Sequence, residues 1–294
     1  MKRTTTLITI LILAALLAGC GVKVVKQPYS GSPETGLVVN YHLNKGDTYS
    51  YTTDNTQDIN MEVMGNQQQM RNSFAADFTL AATGTDKENN YQTEITLDSL
   101  NMAVTGMQNI TPDLSGLQGK AFNLTLSPKG ETIDISNNED LTFSTGQPGT
   151  GETNITTNIQ NIFPNLPDKT ISIGATWTET AVDTVKRMGM NTINDSETTT
   201  TFEGVETKMG RECLKIVSES TALVDGEGEQ MGMAMIMEGD METTRTVYFD
   251  YKKGVVVKME MEGFMEGTVS MSGQAAMTIP IVMELSNTLE LKEK

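Results

Sequence analysis

Methionine is the residue type whose number and spacing in this chain point most directly to a chemical role. The sequence holds 20 Met, more than its 8 Phe, 7 Tyr and 1 Trp together, and many occupy alternate positions of two segments near the C-terminus. Successive side chains of a strand point to opposite faces, so these Met would share one face of a sheet, with mainly Glu and Ser on the other. The candidate ligand-binding residues are Met233, Met235, Met237, Met259, Met261 and Met265.

Three interpretations of this Met face follow from the chemistry of the thioether. Met is flexible and polarizable, so such a face either fills the core of a sheet or accepts a hydrophobic ligand or partner. A thioether also binds soft Cu(I), which makes a copper site the third interpretation. Copper is the weakest of the three, because His42 is far along the chain and Cys213 lies on a predicted strand.

Enzymatic chemistry has little support in the residue types. The single His rules out a multi-His zinc site, and no base accompanies Cys213, so no nucleophile can be assigned. The acidic, Gly-rich residues 225–229 lack the spacing of a calcium loop and are predicted to form a solvated turn. A net charge of −17 disfavours nucleic-acid binding. We therefore predict a non-enzymatic protein with no catalytic residue, no metal site and no cofactor.

Antiparallel strands are the elements that must position the Met face. Frequent Thr, alternating polarity and recurrent Gly turns predict strands over most of the chain. The clearest hairpin has residues 248–251 and 255–257 on either side of a turn that ends at Gly254. One short helix is predicted at residues 152–163, where Ile155, Ile159 and Ile162 fall on one helical face before Pro164.

Three segments of the first half recur in the second half, in the same order and at similar spacing. Residues 46–50 resemble 174–178, residues 90–96 resemble 211–217, and residues 122–130 resemble 246–254. The pattern predicts a duplicated unit of domain size. The predicted fold is mainly β: two related antiparallel, half-barrel-like halves with one short connecting helix. The predicted ranges are a first half at 37–144, a linker with the helix at 145–169, and a second half at 170–294. The sequence leaves open whether the halves form two cores or one continuous sheet.

The N-terminus has the features of a bacterial export signal. Basic residues at positions 2–3 precede an apolar run at 7–18, which is too short to span a bilayer as a helix. Leu17-Ala18-Gly19-Cys20 then resembles a lipobox, which implies removal of a signal peptide at 1–19 and lipid attachment at Cys20. Two or three acyl chains would hold the protein stably at a membrane. Residues 20–36 are predicted to form a tether, and the outer membrane, facing the periplasm, is the predicted location.

The junction between the halves resembles an element of an uncharacterised bacterial lipoprotein family, a family whose domain has no assigned function. Its members show an "LP-x-K-x-V-x-x-G-[DA]-[ST]-W" segment, similar here to Leu166-Pro167-Asp168-Lys169 and Gly174-Ala175-Thr176-Trp177, and a start similar to Leu43 to Tyr49. Ala175 departs from the acidic residue expected there. At the level of fold alone, the repeated long strands also resemble the half-barrels of the LolA, LolB and LppX lipoprotein carriers. That resemblance implies a concave apolar sheet that holds acyl chains.

The functional prediction is a lipid-anchored protein of the bacterial cell envelope that binds a hydrophobic, lipid-like ligand or an envelope protein on the Met face. The alternative is a structural or interaction lipoprotein whose cores are sealed and which has no ligand. A Cu(I)-binding protein is the third possibility.

Overall fold

The computed structural model describes residues 28–106, 109–144, 152–159, 162–187, 190–230, 233–272 and 276–293. The predicted signal peptide at 1–19, the predicted lipid attachment at Cys20 and the first part of the predicted tether lie outside these residues. So do residues 145–151 of the predicted linker.

The described chain is built almost entirely from β-strands. The fifteen strands are β1 (Tyr29–Ser32), β2 (Gly36–Val39), β3 (Thr48–Val63), β4 (Asn66–Thr85), β5 (Tyr91–Thr105), β6 (Ala121–Leu126), β7 (Thr132–Ser136), β8 (Thr142–Ser144), β9 (Glu152–Asn154), β10 (Thr176–Arg187), β11 (Met190–Lys208), β12 (Arg211–Gln230), β13 (Met233–Asp250), β14 (Val255–Met271) and β15 (Met277–Leu291). A single turn of 3-10 helix spans Ile155–Asn158. The predicted mainly-β class and the antiparallel pairing are confirmed.

Eleven strands form one sheet in the order β10-β11-β12-β13-β14-β15-β3-β4-β5-β6-β7. Every neighbouring pair is antiparallel, and the last strand of the chain, β15, pairs with β3. This pairing answers the question that the sequence left open, because it joins the strands of both predicted halves into one continuous sheet.

The predicted hairpin at residues 248–257 is present as the β13–β14 turn. Gly254 has φ +74°, and a Cβ on it would lie 2.5 Å from the backbone N of His42. Only glycine fits both that backbone conformation and that close approach.

Connecting segments cover one end of one sheet face, which we call the inner face. Leu, Ile and Phe side chains from the non-strand segments pack there against strand residues of both halves. The covering residues include Leu114, Leu117, Leu141, Ile155, Ile159, Phe163, Leu166 and Ile171. We call this packed end the sealed core. It accounts for most of the buried apolar side chains of the described chain.

Two sequence-based predictions about the connecting segments are wrong. Residues 28–36 of the predicted tether belong to the folded body, because β1 and β2 form a hairpin and Leu37 exchanges backbone hydrogen bonds with Ile171 at 2.7 and 2.9 Å. In place of a helix at 152–163, the described residues form β9 and the single 3-10 turn, capped by the Asn154 side chain. The apolar spacing there reflects burial of one side of an irregular segment: Ile155, Ile159 and Ile162 are all buried.

Candidate functional site

The inner face of the sheet has three zones along the direction of the strands. The sealed core occupies one end. The other end carries an apolar cluster, which we call the Met zone. Its residues are Val224, Met265, Ile279 and Ile281, which are buried, together with Met61, Val63, Met237, Met241, Val269, Met271, Met277 and Met283, which are partly buried. Between the two zones lies a band of polar inner-face residues that includes Arg245 and Asn287. We call this band the polar belt.

The alternation predicted from the sequence places all six candidate Met on the inner face, but in different zones. Met259 lies in the sealed core and is 4% exposed, whereas Met265 lies in the Met zone and is 2% exposed. Met237 also belongs to the Met zone, and Met233, Met235 and Met261 are half-buried. The structure therefore does not bring the six together at one point. Their role as ligand contacts stays a prediction.

The strand register separates Met235 from Met261, two of the candidate Met. Met235 pairs with Met271 of β14, whereas Met261 pairs with Arg245 of β13. Met235 and Arg245 are ten positions apart on β13, which is roughly 33 Å at the rise of a strand. The thioethers of Met235 and Met261 therefore cannot share one metal ion, and the copper interpretation stays a prediction. Among the described residues, no three His, Cys, Asp or Glu side chains gather to form a metal site either.

The Met zone is a lateral row rather than a stripe along one strand. Met241 pairs with Met265, Met265 with Met283, and Met283 with Ile59, so that the row crosses four strands. The side-chain amide N–H of Gln57 donates to Met283 Sδ, with an N···S distance of 2.7 Å. Neighbouring side chains across strands are the units that form a continuous sheet surface.

Glycines within the Met zone let the Met side chains lie flat. Gly239 and Gly267 pair across β13 and β14. A Cβ on Gly239 would lie 2.7 Å from Met265 Cε and 2.7 Å from the Glu266 carbonyl oxygen. The Met265 methyl group therefore occupies the space that a side chain would need. This produces a smooth surface of adaptable thioethers.

The polar belt contains two residues that sequence reasoning missed. Arg245 pairs with Met261, and Met261 pairs with Asn287, so the three occupy one lateral row on β13, β14 and β15. The Nε of Arg245 and the Oδ1 of Asn287 are buried and have no hydrogen-bond partner within the described chain. A sequence signal existed: Arg245 is the single charged residue at the odd positions of 233–249, and Asn287 is the single polar residue at the odd positions of 277–291.

A cleft of about 530 Å³ opens beside Arg245, between residues 164–169 and the inner face of β10 to β13. Hydroxyl groups line its floor, and those of Thr200 and Ser218 are hydrogen-bonded at 2.9 Å. Trp177, the one Trp of the chain, lines the wall, with Lys169 Nζ 5.0 Å from the centre of its ring. The cleft thus places a cation, hydroxyl groups and an aromatic ring at the edge of the sealed core.

Two hydrogen-bonding side chains fix the segment that roofs the cleft. The Tyr41 hydroxyl donates to the Pro164 carbonyl at 2.8 Å. Lys129 Nζ donates to the carbonyls of Val39 and Pro167 at 2.9 and 2.8 Å, and partial burial lowers the pKa of this amine. Because its ammonium donates to these two carbonyls, Lys129 is part of the roof.

The other residues singled out in the sequence are Cys213, His42 and the acidic residues 225–229, and each is part of the folded structure. Cys213 is fully buried, and burial is the main cause that raises the pKa of its thiol to about 11, so the reactive thiolate is suppressed. The His42 backbone N–H donates to the Gly254 carbonyl at 2.9 Å. The acidic residues 225–229 lie within β12 and not in a turn, since Gly226 and Gly228 pair with Met237 and Met235.

Comparisons with known proteins supply no family for this chain. No protein-family model matches it, and no curated protein matches it. Among solved structures, the crystal structure of Pseudomonas aeruginosa OccK11 (OpdR) is similar over 87% of this chain and 100% of its own, at 8% identity and a TM-score of 0.22. A score this low carries no argument about fold or function. No helix within the described ranges has the length and apolar character needed to cross a bilayer.

Proposed function

We propose that this protein is a non-enzymatic, lipid-anchored protein of the bacterial cell envelope, at the outer membrane and facing the periplasm, and that it binds an acyl chain on the Met zone. The observation that carries the proposal is the Met zone itself. It is an apolar row of adaptable side chains on the inner face, beyond the part of that face that the connecting segments seal. Flexible thioether surfaces suit acyl ligands whose shape varies.

The opposite face of the same strands supports the choice of the inner face. On β14, the outer positions between the Met carry Glu260, Glu262 and Glu266, and all three are exposed. An acyl chain has no favourable contact with such an acidic surface. An apolar chain that covered these carboxylates would remove them from water, which costs free energy. The inner face is therefore the one that we assign to the ligand.

The anchor is argued from the lipobox-like residues that end at Cys20. Incorporation of radiolabelled palmitate into the protein, lost in Cys20→Ala, is the expected result. Labelling that persists in Cys20→Ala would contradict the assignment of that residue.

We also propose that the sheet arose from two related halves. Gly46 N–H donates to the Ala82 carbonyl and Ala82 N–H to the Asp47 carbonyl, at 2.8 and 2.9 Å. Gly174, Phe202 and Ala175 repeat this pattern at 2.8 and 2.9 Å at the start of β10. The third recurring segment ends β6 and β13 at its fifth residue in both copies.

The binding proposal is tested by native mass spectrometry of the full chain carrying Cys20→Ala, purified from the cell envelope without added lipid. Met237→Glu places a charge in the Met zone, and Ile236→Glu places the same charge on the exposed outer face one residue away. We expect a co-purified acyl compound that is lost in Met237→Glu and kept in Ile236→Glu. Equal retention in both variants would contradict the proposal.

A sealed structural or interaction protein is the competing function. One observation favours it: Val224, Met265, Ile279 and Ile281 are already buried, at 8% exposure or less. A clean apo mass for the unmodified inner face would support this alternative over the acyl-binding function.

A further inference from the structure

We propose that the polar belt binds the singly charged, anionic head group of the acyl ligand through the guanidinium group of Arg245. This inference rests on the proposed function and names the ligand class: an acyl chain that ends in a mono-anionic head. The carboxylate of a fatty acid and the phosphodiester of a phospholipid both have this chemistry.

The first step is that Arg245 is a half-buried cation whose Nε is buried and which forms no ion pair with a described residue. No described group accepts a hydrogen bond from this Nε. Burial lowers the pKa of this guanidinium, yet arginine remains protonated in proteins. A buried charge without a partner is costly, so an anion that reaches it gains more than it would at the surface.

The second step is that the guanidinium lines an accessible cleft. Arg245 lies on the wall of the 530 Å³ cleft, next to the hydroxyl groups of Thr200 and Ser218. A planar guanidinium matches a carboxylate or a phosphate oxygen pair, and hydroxyl groups supply further donors. The arrangement is complementary to a small oxyanion.

The third step concerns the charge of the head group. Four carboxylates line the cleft, those of Glu131, Asp168, Glu179 and Asp183, against three cations, Arg245, Lys129 and Lys169. Lys129 is engaged with two backbone carbonyls, and Lys169 lies over the Trp177 ring. Because carboxylates outnumber cations in this lining, a single negative charge is favoured over a dianion. We therefore infer a carboxylate or a phosphodiester and exclude a terminal phosphate.

The fourth step places the chain of the ligand. Arg245, Thr243 and Met241 are successive inner-face positions of β13, so the Met zone begins roughly 13 Å from the guanidinium-bearing residue. Asn287 lies two strands from Arg245 and offers a buried acceptor to a hydroxyl or amide N–H of the head. A ligand with its head on the polar belt and its chain on the Met zone pairs the guanidinium and covers the apolar row, and a head that carries a hydroxyl group also donates to Asn287.

The test compares a charged and an uncharged ligand of equal chain length. The full chain carrying Cys20→Ala is titrated with palmitate, methyl palmitate and a vesicle of phosphatidylglycerol, with Trp177 fluorescence and native mass spectrometry as the readouts. Trp177 lines the cleft and is the one Trp of the sequence, so its emission reports occupation of the head site. Arg245→Met removes the charge at similar length, Arg245→Lys keeps it, and Arg71→Met removes an exposed arginine on the other face.

We expect Arg245→Met to weaken palmitate or phosphatidylglycerol binding by about tenfold or more and to leave methyl palmitate binding unchanged. Whichever anionic ligand shows the loss identifies the head group, and Arg245→Lys should retain part of the affinity. If Arg245→Met fails to fold, the preference of the original Arg245 protein for palmitate over methyl palmitate, also about tenfold, tests the same claim. Equal binding of the charged and uncharged ligands would overturn the head-group inference and leave the proposed function standing. Failure of all three ligands to bind would overturn both.

Discussion

Arg245 and Asn287 occupy the same lateral row of the sheet with Met261 alone between them, and each has a buried polar atom that no described group satisfies. Elsewhere in the described chain, buried polar side chains find partners, such as Thr200 with Ser218. Folded proteins seldom tolerate such groups, because each costs free energy of folding. Two of them lie in one row at the border of an apolar zone, and this placement supports the head-group site proposed above.

The first prediction concerns the stability cost of Arg245. Arg245→Met should raise the free energy of unfolding of the unliganded protein by about 1 kcal/mol, because it replaces a half-buried cation, whose buried Nε has no partner, with an apolar side chain of similar length. Urea denaturation measures this change. Arg71→Met, which removes an exposed pair with Asp58 at 2.6 Å, should change stability by less than about 0.5 kcal/mol. A loss of more than about 1 kcal/mol in Arg245→Met would show that the guanidinium stabilises the fold.

The second prediction concerns the close packing of the Met zone. Gly239→Ala should lower the free energy of unfolding by about 1–3 kcal/mol, because its Cβ would meet the Glu266 carbonyl oxygen and the Met265 methyl group at 2.7 Å. Gly84→Ala in β4 is the matched control, since the nearest heavy atom to its Cβ is the Gln92 Oε1 at 3.8 Å. It should be neutral or raise stability by about 0.5 kcal/mol. The same sign for both substitutions would contradict this packing.

The third prediction concerns the dependence of stability on alkaline pH. Burial raises the pKa of Cys213 from an ordinary value of 9.0 to about 11, so between these values the unfolded chain loses a proton that the folded chain keeps. The contribution of the protonated Cys213 thiol to the free energy of unfolding is therefore complete below pH 9 and is lost as the pH rises from 9 to 11. The slope is at most about 1.4 kcal/mol per pH unit. Urea denaturation at pH 8, 9 and 10 should show a steeper decline for the original chain than for Cys213→Ala, and equal slopes would refute the burial of the thiol.

The fourth prediction concerns the roof of the cleft. Tyr41→Phe removes the hydroxyl that donates to the Pro164 carbonyl at 2.8 Å and should cost about 1–2 kcal/mol of stability. Amide hydrogen exchange should then become faster at Leu166, whose N–H donates to the Lys129 carbonyl at 2.7 Å, and remain unchanged in the β14–β15 pair. Faster exchange throughout the sheet would show that Tyr41 supports the whole fold and not the roof.

Local patterns of the sequence predict the strands and the alternating faces, but not the long-range arrangement. The turn at Gly254 and the shared face of Met259, Met261 and Met265 follow from alternation and turn chemistry. The pairing of β15 with β3 does not follow from such local signals. The two strands are more than 200 residues apart in the sequence, and their pairing depends on how well they fit together in the folded sheet. The register that separates Met235 from Met261 has the same origin.

The polar belt was missed because its residues look ordinary one at a time. Arg245 and Asn287 become unusual only when they are viewed with the apolar residues at alternate positions of their own strands. The predicted helix at 152–163 failed for the opposite reason. Its apolar spacing was regular, but Asn154 caps a single 3-10 turn and the following residues pack irregularly into the sealed core.

The most direct test of acyl binding on the Met zone is NMR of the ¹³C-labelled methionine methyl groups of the full chain carrying Cys20→Ala, recorded with and without palmitate. Binding should shift the resonances of Met237, Met241 and Met283, which line the zone, and leave those of Met64 at an exposed turn and Met259 in the sealed core unchanged. Unchanged Met-zone resonances at saturating palmitate, or shifts confined to Met64, would contradict the proposed function.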